Sequence, residues 1–361
     1  MSQELLNIIR LSLLKGVGPV NAKKLVAYCG SVEGVFSETT SNLKKIPNLG
    51  PHLISQIKST STLFRAHEEL AFIEKNKLCC CSYLDDQYPQ ELKHCFDAPI
   101  LLYTKGNIDF NKTKTISIVG SRNASSFGIS FCRELIKELS PYSPIIVSGL
   151  AYGIDTCAHK SAISNGLPTF AVLAHGLETI YPSQNRELAT QLLEKGGLLT
   201  EFMSQTKIIK QNFVRRNRII AGLSQATIVI ESKTNGGAML TARMANSYNR
   251  EVFAVPSKPS DKYASGCLEL IKQNEAHLLQ SVDDIIEGLS WDVNAKVVQK
   301  TLFELENEEK QLVSLISQHN GIHIDRIHSL SHLSYSKTNE VLMNLELKGA
   351  LIVKPGKLYF V

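Results

Sequence analysis

No stretch of this chain reaches the roughly 18 apolar residues that a helix needs to cross a bilayer, which excludes a helical membrane span. The opening Met1-Ser-Gln-Glu-Leu-Leu6 lacks a cationic region, a long apolar run and a small-residue cleavage site, so a cytoplasmic protein is expected. Eight cysteines are present and none forms a CxxC pair; three are consecutive, Cys79-Cys80-Cys81. Neither a zinc knuckle nor a disulfide framework is indicated, and buried thiols in a reducing compartment are expected. Charge of one sign is also scarce. The 39 basic and 34 acidic residues leave a formal +5, so an anionic partner must be met by local clustering. No dinucleotide GxGxxG or Walker A loop occurs, which excludes the commonest cofactor and nucleotide sites.

What is present is an ordinary soluble composition over 361 residues, 43% hydrophobic and 20% charged, long enough for two or three domains. Residues 1–70 read as short helices. Gly16-Val-Gly-Pro-Val-Asn-Ala-Lys-Lys-Leu25 is a glycine turn entering a helix, and Ile46-Pro-Asn-Leu-Gly-Pro51 precedes another. Two such turns lay out a helix-hairpin-helix, whose helix N-termini can hold a duplex phosphate; a small bundle with glycine and proline caps is the alternative. Short apolar runs punctuated by Tyr88-Pro89, Ala98-Pro99 and Lys105-Gly-Asn107 lead into the main domain.

The clearest pattern runs from 114 to 287. Apolar strand-like segments at 115–119, 144–147, 169–173, 197–200, 226–230 and 251–255 alternate with helical ones such as 127–139 and 240–247. That alternation predicts an α/β fold with a mostly parallel sheet covered by helices, with ligands beyond the carboxyl ends of the strands. After a boundary near Leu289-Ser-Trp-Asp292, helices over 308–319, 324–330 and 336–348 precede a hairpin turning at Pro355-Gly356, a winged-helix order. Its charges nearly balance, so contact with protein and contact with DNA stand equal.

Polar and glycine residues cluster at the predicted strand ends. Gly120 permits a tight turn, Ser121 follows it, and Arg122 offers a guanidinium fork to a phosphate or to a strand-end carboxylate. Ser148-Gly149 ends the next strand and supplies a second cradle. Asp155, as an N-cap, and His159 lie on one helical face; a cap plus a satisfied histidine is favoured over an acid–base pair or two metal ligands. Tyr181 can stack on a base, and Asn185 and Arg186 follow it. Phe213, Arg215, Arg216, Asn217 and Arg218 form the densest cluster. An aromatic among arginines suits a sequence-tolerant single-strand platform. Arg216 and Arg218 are expected to face the core or bridge, and Arg215 to be exposed. Glu231 either acts as an acid or neutralises Arg216 or Arg218, opposite Gly236-Gly237, which open a helix.

Val119-Gly-Ser-Arg122, Ser148-Gly-Leu-Ala-Tyr-Gly-Ile-Asp155, Gly176-Leu-Glu-Thr-Ile-Tyr-Pro182, Arg216-Asn-Arg-Ile-Ile-Ala-Gly-Leu-Ser224, Gly237-Ala-Met-Leu-Thr-Ala242 and Val252-Phe-Ala-Val-Pro256 together resemble the DNA-processing protein A (DprA/Smf) family. The resemblance implies an extended Rossmann-like sheet over 71–288, an N-terminal helix-hairpin-helix or SAM-like region over 1–70 and a winged helix over 296–361. It also implies a non-enzymatic, homodimeric protein that binds single-stranded DNA and loads the RecA recombinase during natural transformation, with no cofactor. Arg122 and Arg186 would contact phosphate. Ala174-His175, Ser257 and Leu268 depart from the family pattern. A nucleotide phosphoribohydrolase using Glu231 is the rival from another class, although Gly237-Ala-Met-Leu-Thr241 carries no acidic residue; an adaptor acting through its winged helix is a third reading.

Overall fold

The structure is a computed structural model that describes residues 3–47, 49–110, 114–258, 261, 265–291, 307–317, 322–331, 333–347, 351–354 and 358–360. It divides into two compact units, residues 1–291 and 292–361. The helical region lies within the first unit.

Six helices begin the first unit: α1 (Gln3–Leu13), α2 (Pro19–Cys29), α3 (Val32–Ser37), α4 (Thr40–Leu43), α5 (Pro51–Lys58) and α6 (Ser61–Lys75). Gly18-Pro19 and Gly50-Pro51 open α2 and α5, with proline at a position whose N–H would have no helical partner anyway. Gly30 closes α2 in the left-handed region, where glycine carries no steric penalty. The apolar faces of these helices pack with Ile100, Leu101 and Tyr103, so the sheet completes their core. A polar knot ties the same boundary. Arg65 on α6 donates to Glu69 and to the Ser204 carbonyl, while the Ser204 N–H donates to Glu69 at 2.9 Å.

The chain then alternates through β1 (Cys79–Ser82), α7 (Gln90–Lys93), β2 (Leu101–Gly106), β3 (Thr115–Gly120), α8 (Ser126–Leu139), β4 (Ile145–Ser148), α9 (Ile154–Ser164) and β5 (Thr169–Val172). It continues through α10 (Arg186–Lys195), β6 (Gly197–Thr200), α11 (Lys210–Leu223), β7 (Ala226–Ile230), α12 (Gly237–Ser247), β8 (Glu251–Ala254), α13 (Ser265–Lys272), β9 (His277–Leu278) and α14 (Val282–Leu289). All six expected strands are present, within a residue of the expected ends. The sheet order is β1-β2-β6-β5-β4-β3-β7-β8-β9, parallel from β6 to β9, with β1 and β2 antiparallel at one edge. The short apolar runs over 70–110, read as strands or turns, contain β1 and β2, while β9 is outside the expectation because a two-residue strand carries no periodicity.

Strands β3, β4, β5 and β7 are buried along nearly their whole length, as a sheet covered on both faces requires. Alternate residues feed two cores. Ile116, Ile118, Ile146 and Ile228 pack against α8, α9 and α14, while Val119, Val147 and Val229 face α11 and α12. Chain order reverses between β3 and β7: β4, β5 and β6 lie to one side of β3, and β7 and β8 to the other. Such a reversal leaves a crevice at the carboxyl ends of the two strands.

The second unit contains α15 (Asn307–Ser317), β10 (Ile322–His323), α16 (Ile324–Leu330), α17 (Tyr335–Leu347), β11 (Ile352–Lys354) and β12 (Leu358–Phe360). Leu312, Ile316, Ile327, Val341, Leu342 and Leu345 form its core. The sheet has three strands, β10-β12-β11, where a two-stranded hairpin was expected. The turn at Pro355-Gly356 lies outside the described residues.

Candidate nucleic-acid interface

A cavity of about 550 Å³ opens where the β3 and β7 ends part. Gly120, Ser121, Arg122 and Asn123 form one wall, and Ser232, Lys233, Asn235, Gly236 and Gly237 the opposite one. Lys210, Phe213, Arg216 and Asn217 come in from α11. Eight of the expected site residues therefore meet: Gly120, Ser121, Arg122, Phe213, Arg216, Asn217, Gly236 and Gly237.

The glycines here have different reasons. A Cβ on Gly120 would collide with the Ile230 carbonyl and crowd Ile154, so this glycine serves the packing of β3 against β7 and α9. A Cβ on Gly237 meets nothing within 4 Å. Gly237 is the first residue of α12, whose cap Gly236 gives no side-chain acceptor, so the helix start is open to an anion. Glu231 holds the two walls at their spacing. Its buried carboxylate accepts the Ser125 N–H at 2.8 Å and the Ser125 hydroxyl, and that hydroxyl in turn accepts the Gly128 N–H at the start of α8. Glu231 does this from a left-handed backbone, φ 53°, a costly conformation retained where the surroundings fix it. Neither arginine of the expectation is its partner.

Those arginines are neutralised elsewhere. Arg216 is buried, and its Nη1 donates to the Gly149 carbonyl at 2.7 Å and to the Val172 carbonyl. Burial lowers its pKa to about 10 despite the nearby Asp155. Asp155 accepts the N–H groups of Gly149 at 3.1 Å and Ala151 at 3.3 Å, and burial raises its pKa against the pull of Arg216. It thus anchors the loop after β4; the cap of α9 is Gly153. His159 is fully buried with Nδ1 at 2.7 Å from the Thr169 hydroxyl, and burial pushes its pKa down to about 3. No three His, Cys, Asp or Glu side chains gather as metal ligands among the described residues.

Arg218 turns to the other side of α11, donating to the Asp97 carbonyl at 2.6 Å and to Glu201 at 2.5 Å. Arg215 is half-exposed and shares Glu201 at 2.8 Å. The expectation for these three residues matches: Arg216 and Arg218 are core-facing and Arg215 is open. Ser148 and Asn185 are buried in the scaffold, the first donating to the Ile118 carbonyl and the second to the Leu150 carbonyl. With Gly149 beneath Arg216, these residues shape the crevice from behind.

Arg122 is exposed and makes no ion pair among the described residues; its guanidinium lies 5.8 Å from the Phe213 ring centre. Tyr181, 45% exposed, meets Phe213 edge-on at 5.7 Å. Arg186 is exposed at the start of α10, outside the cavity lining. Lys210, Lys233, Asn123 and Asn235 line the cavity and were not singled out from sequence. Lys210 had a legible signal, standing one helical turn before Phe213 and so on the same face.

The described residues thus place a polar, arginine-bearing crevice at the switch point of an α/β sheet. The family described as DNA recombination-mediator protein A matches residues 79–290, and the DprA winged helix domain matches residues 298–357. The chain belongs to the DNA recombination-mediator protein A (DprA/Smf) family. It is 35% identical over 285 residues to Protein Smf of Synechocystis sp., covering 77% of this chain and 71% of that one. The crystal structure of DNA processing protein A from Streptococcus pneumoniae aligns with a TM-score of 0.66 at 33% identity, covering 80% of this chain and 98% of that one. DNA processing protein A from Helicobacter pylori, whose structure describes its single-stranded DNA binding mode, aligns at 0.54 with 25% identity over 59% of this chain and 96% of that one. The second unit is thus a winged-helix domain and the whole a mixed α/β protein with a helical N-terminal region.

Proposed function

We propose that this chain binds single-stranded DNA in the β3–β7 crevice, without chemistry, and presents it to the RecA recombinase during recombination or natural transformation. The observation that carries this reading is the pair of exposed side chains, Arg122 and Tyr181, set around the half-buried Phe213 ring at the mouth of the crevice. Aromatic faces accept any base, and an unpaired guanidinium holds the backbone. The open start of α12 offers N–H groups for a phosphate. The single-strand binding described for the Helicobacter pylori protein supports the same ligand. The sheet with its reversal is read as an extended Rossmann-like core, and α2 and α5 with their glycine-proline starts as a helix-hairpin-helix region. A homodimer in the cytoplasm completes the proposal.

Against the phosphoribohydrolase reading stands the placement of its candidate acid. Glu231 is committed to Ser125 and is not part of the cavity lining. Anisotropy of labelled single-stranded and duplex oligonucleotides, with salt varied, tests the proposal. Tight single-strand binding that weakens with salt and drops about tenfold or more in a folded Arg122→Ala variant is expected. Equal binding by both proteins would move the site elsewhere.

A further inference from the structure

We infer that a strand held in the β3–β7 crevice continues across α11 into a second crevice, which receives a further nucleotide. The inference rests on the single-strand reading above. The second cavity, about 440 Å³, lies between the helical region and the segment following β6, and it includes Gly18, Pro19, Arg65, Glu201, Asn212 and Arg215 in its lining. Helix α11 is the common wall. Phe213, Arg216 and Asn217 face the first cavity, and Asn212 and Arg215 the second.

Topology sets the distance. One crevice sits at the carboxyl end of β3 and the other at that of β6, and the order β6-β5-β4-β3 separates them by three inter-strand spacings. That is about 14 Å, a reach of a few nucleotides. The loops following β4 and β5, on the rim between, expose Tyr152 and Tyr181, two surfaces for bases.

The chemistry of the second cavity suits a nucleotide better than a bare anion. Arg215 is 52% exposed with one Nη on Glu201, leaving donors toward solvent. Arg65 uses Nη2 for Glu69 and Ser204, while its Nη1 is buried without a partner among the described residues. The Glu201 side chain is only 3% exposed; its Oε2 takes Arg215 and Arg218, and its Oε1 is buried and likewise unpartnered. Arg65 and Glu201, which line this cavity, thus hold one donor and one acceptor without protein partners, and a nucleotide offers groups of both kinds. The guanidinium groups suit a phosphate, and the carboxylate suits a base N–H, such as a cytosine amino group. The start of α2, capped by Gly18 without a side-chain acceptor, adds N–H groups on the same side.

The test is photocrosslinking of an oligonucleotide of about 20 nucleotides carrying single photoreactive bases, together with the salt dependence of its affinity. Crosslinks are expected both at Phe213 and at Phe202–Ser204, from positions a few nucleotides apart. In Arg215→Gln and in Arg65→Gln the second set is lost and the first retained. Affinity falls roughly tenfold, and the logarithmic salt slope decreases by about 0.7 per phosphate contact removed. Arg215→Gln removes a half-exposed side chain, so it reports on the site even if Arg65→Gln loosens the packing around Ser204. Crosslinks confined to the first crevice, or an unchanged salt slope in Arg215→Gln, would overturn the second station and leave the first intact. No single-strand binding by the wild-type protein would overturn the reading beneath both.

Discussion

Two glycines of the crevice separate packing from binding at the level of single residues. A Cβ at Gly149 stands 2.5 Å from the guanidinium carbon and both terminal nitrogens of Arg216, which carbonyl bonds hold in place. Gly149→Ala is expected to cost roughly 1–3 kcal/mol of stability, seen in the denaturant midpoint, because the buried arginine must move. Gly237→Ala meets open space and an ordinary helical backbone, so stability should stay level or rise by up to about 1 kcal/mol. Its methyl group stands at the open helix start, so single-strand affinity should fall while the fold is kept. Loss of stability without loss of binding in Gly237→Ala would remove that helix start from the site. Sequence supplied both glycines as one type of signal; only their surroundings distinguish them.

Elements meet through a few buried polar contacts, and one of these carries a pH signature. His159 ties α9 to β5 through Thr169, and burial holds its pKa near 3, against an ordinary 6.5. The unfolded chain therefore takes up the proton first as the solution is acidified. Stability is full above about pH 6.5 and declines as pH falls toward the folded value, by at most about 1.4 kcal/mol per pH unit. His175, also lowered by burial, acts in the same direction. Asp155, raised by burial, offsets part of the decline only within the carboxylate range. Urea midpoints measured across this window should fall for the wild-type protein and flatten for His159→Asn. Parallel curves would show that another group sets the slope. The elements themselves were largely legible: apolar runs of four to six residues, spaced by helical segments, mark β3 to β8 because both faces of those strands are covered. The edge strands were not, since pairing on one side leaves little pattern to read.

At the scale of the whole molecule, the helical region and the sheet stand or fall together. The core of α1–α6 is completed by Ile100, Leu101 and Tyr103, and the Arg65–Glu69–Ser204 knot adds a polar tie. A fragment 1–291 should therefore remain monodisperse and retain single-strand binding. A fragment 76–291 exposes that apolar face and should aggregate or lose near-ultraviolet circular dichroism. A stable, well-folded 76–291 would show that the helical region is a separable module. The expectation of a 1–70 domain rests on its glycine-turn helices and on the family resemblance, neither of which has access to the surface that a helix bundle shares with a sheet.

Sequence by itself determined the alternation of elements, the glycine and arginine segments at the strand ends, and the order of motifs that marks the family. These depend on local periodicity and on residue type, which a linear string carries. Tertiary structure alone decided which arginines are available. Arg215, Arg216 and Arg218 share one helix, yet one is half-exposed and two are buried on opposite sides. It also made Glu231 the brace between two walls. The partners that settle both outcomes lie far along the chain: Gly149 and Val172 for Arg216, Asp97 for Arg218 and Ser125 for Glu231. Charge and burial at each site depend on the packing of those distant segments, a quantity that no local stretch of sequence contains.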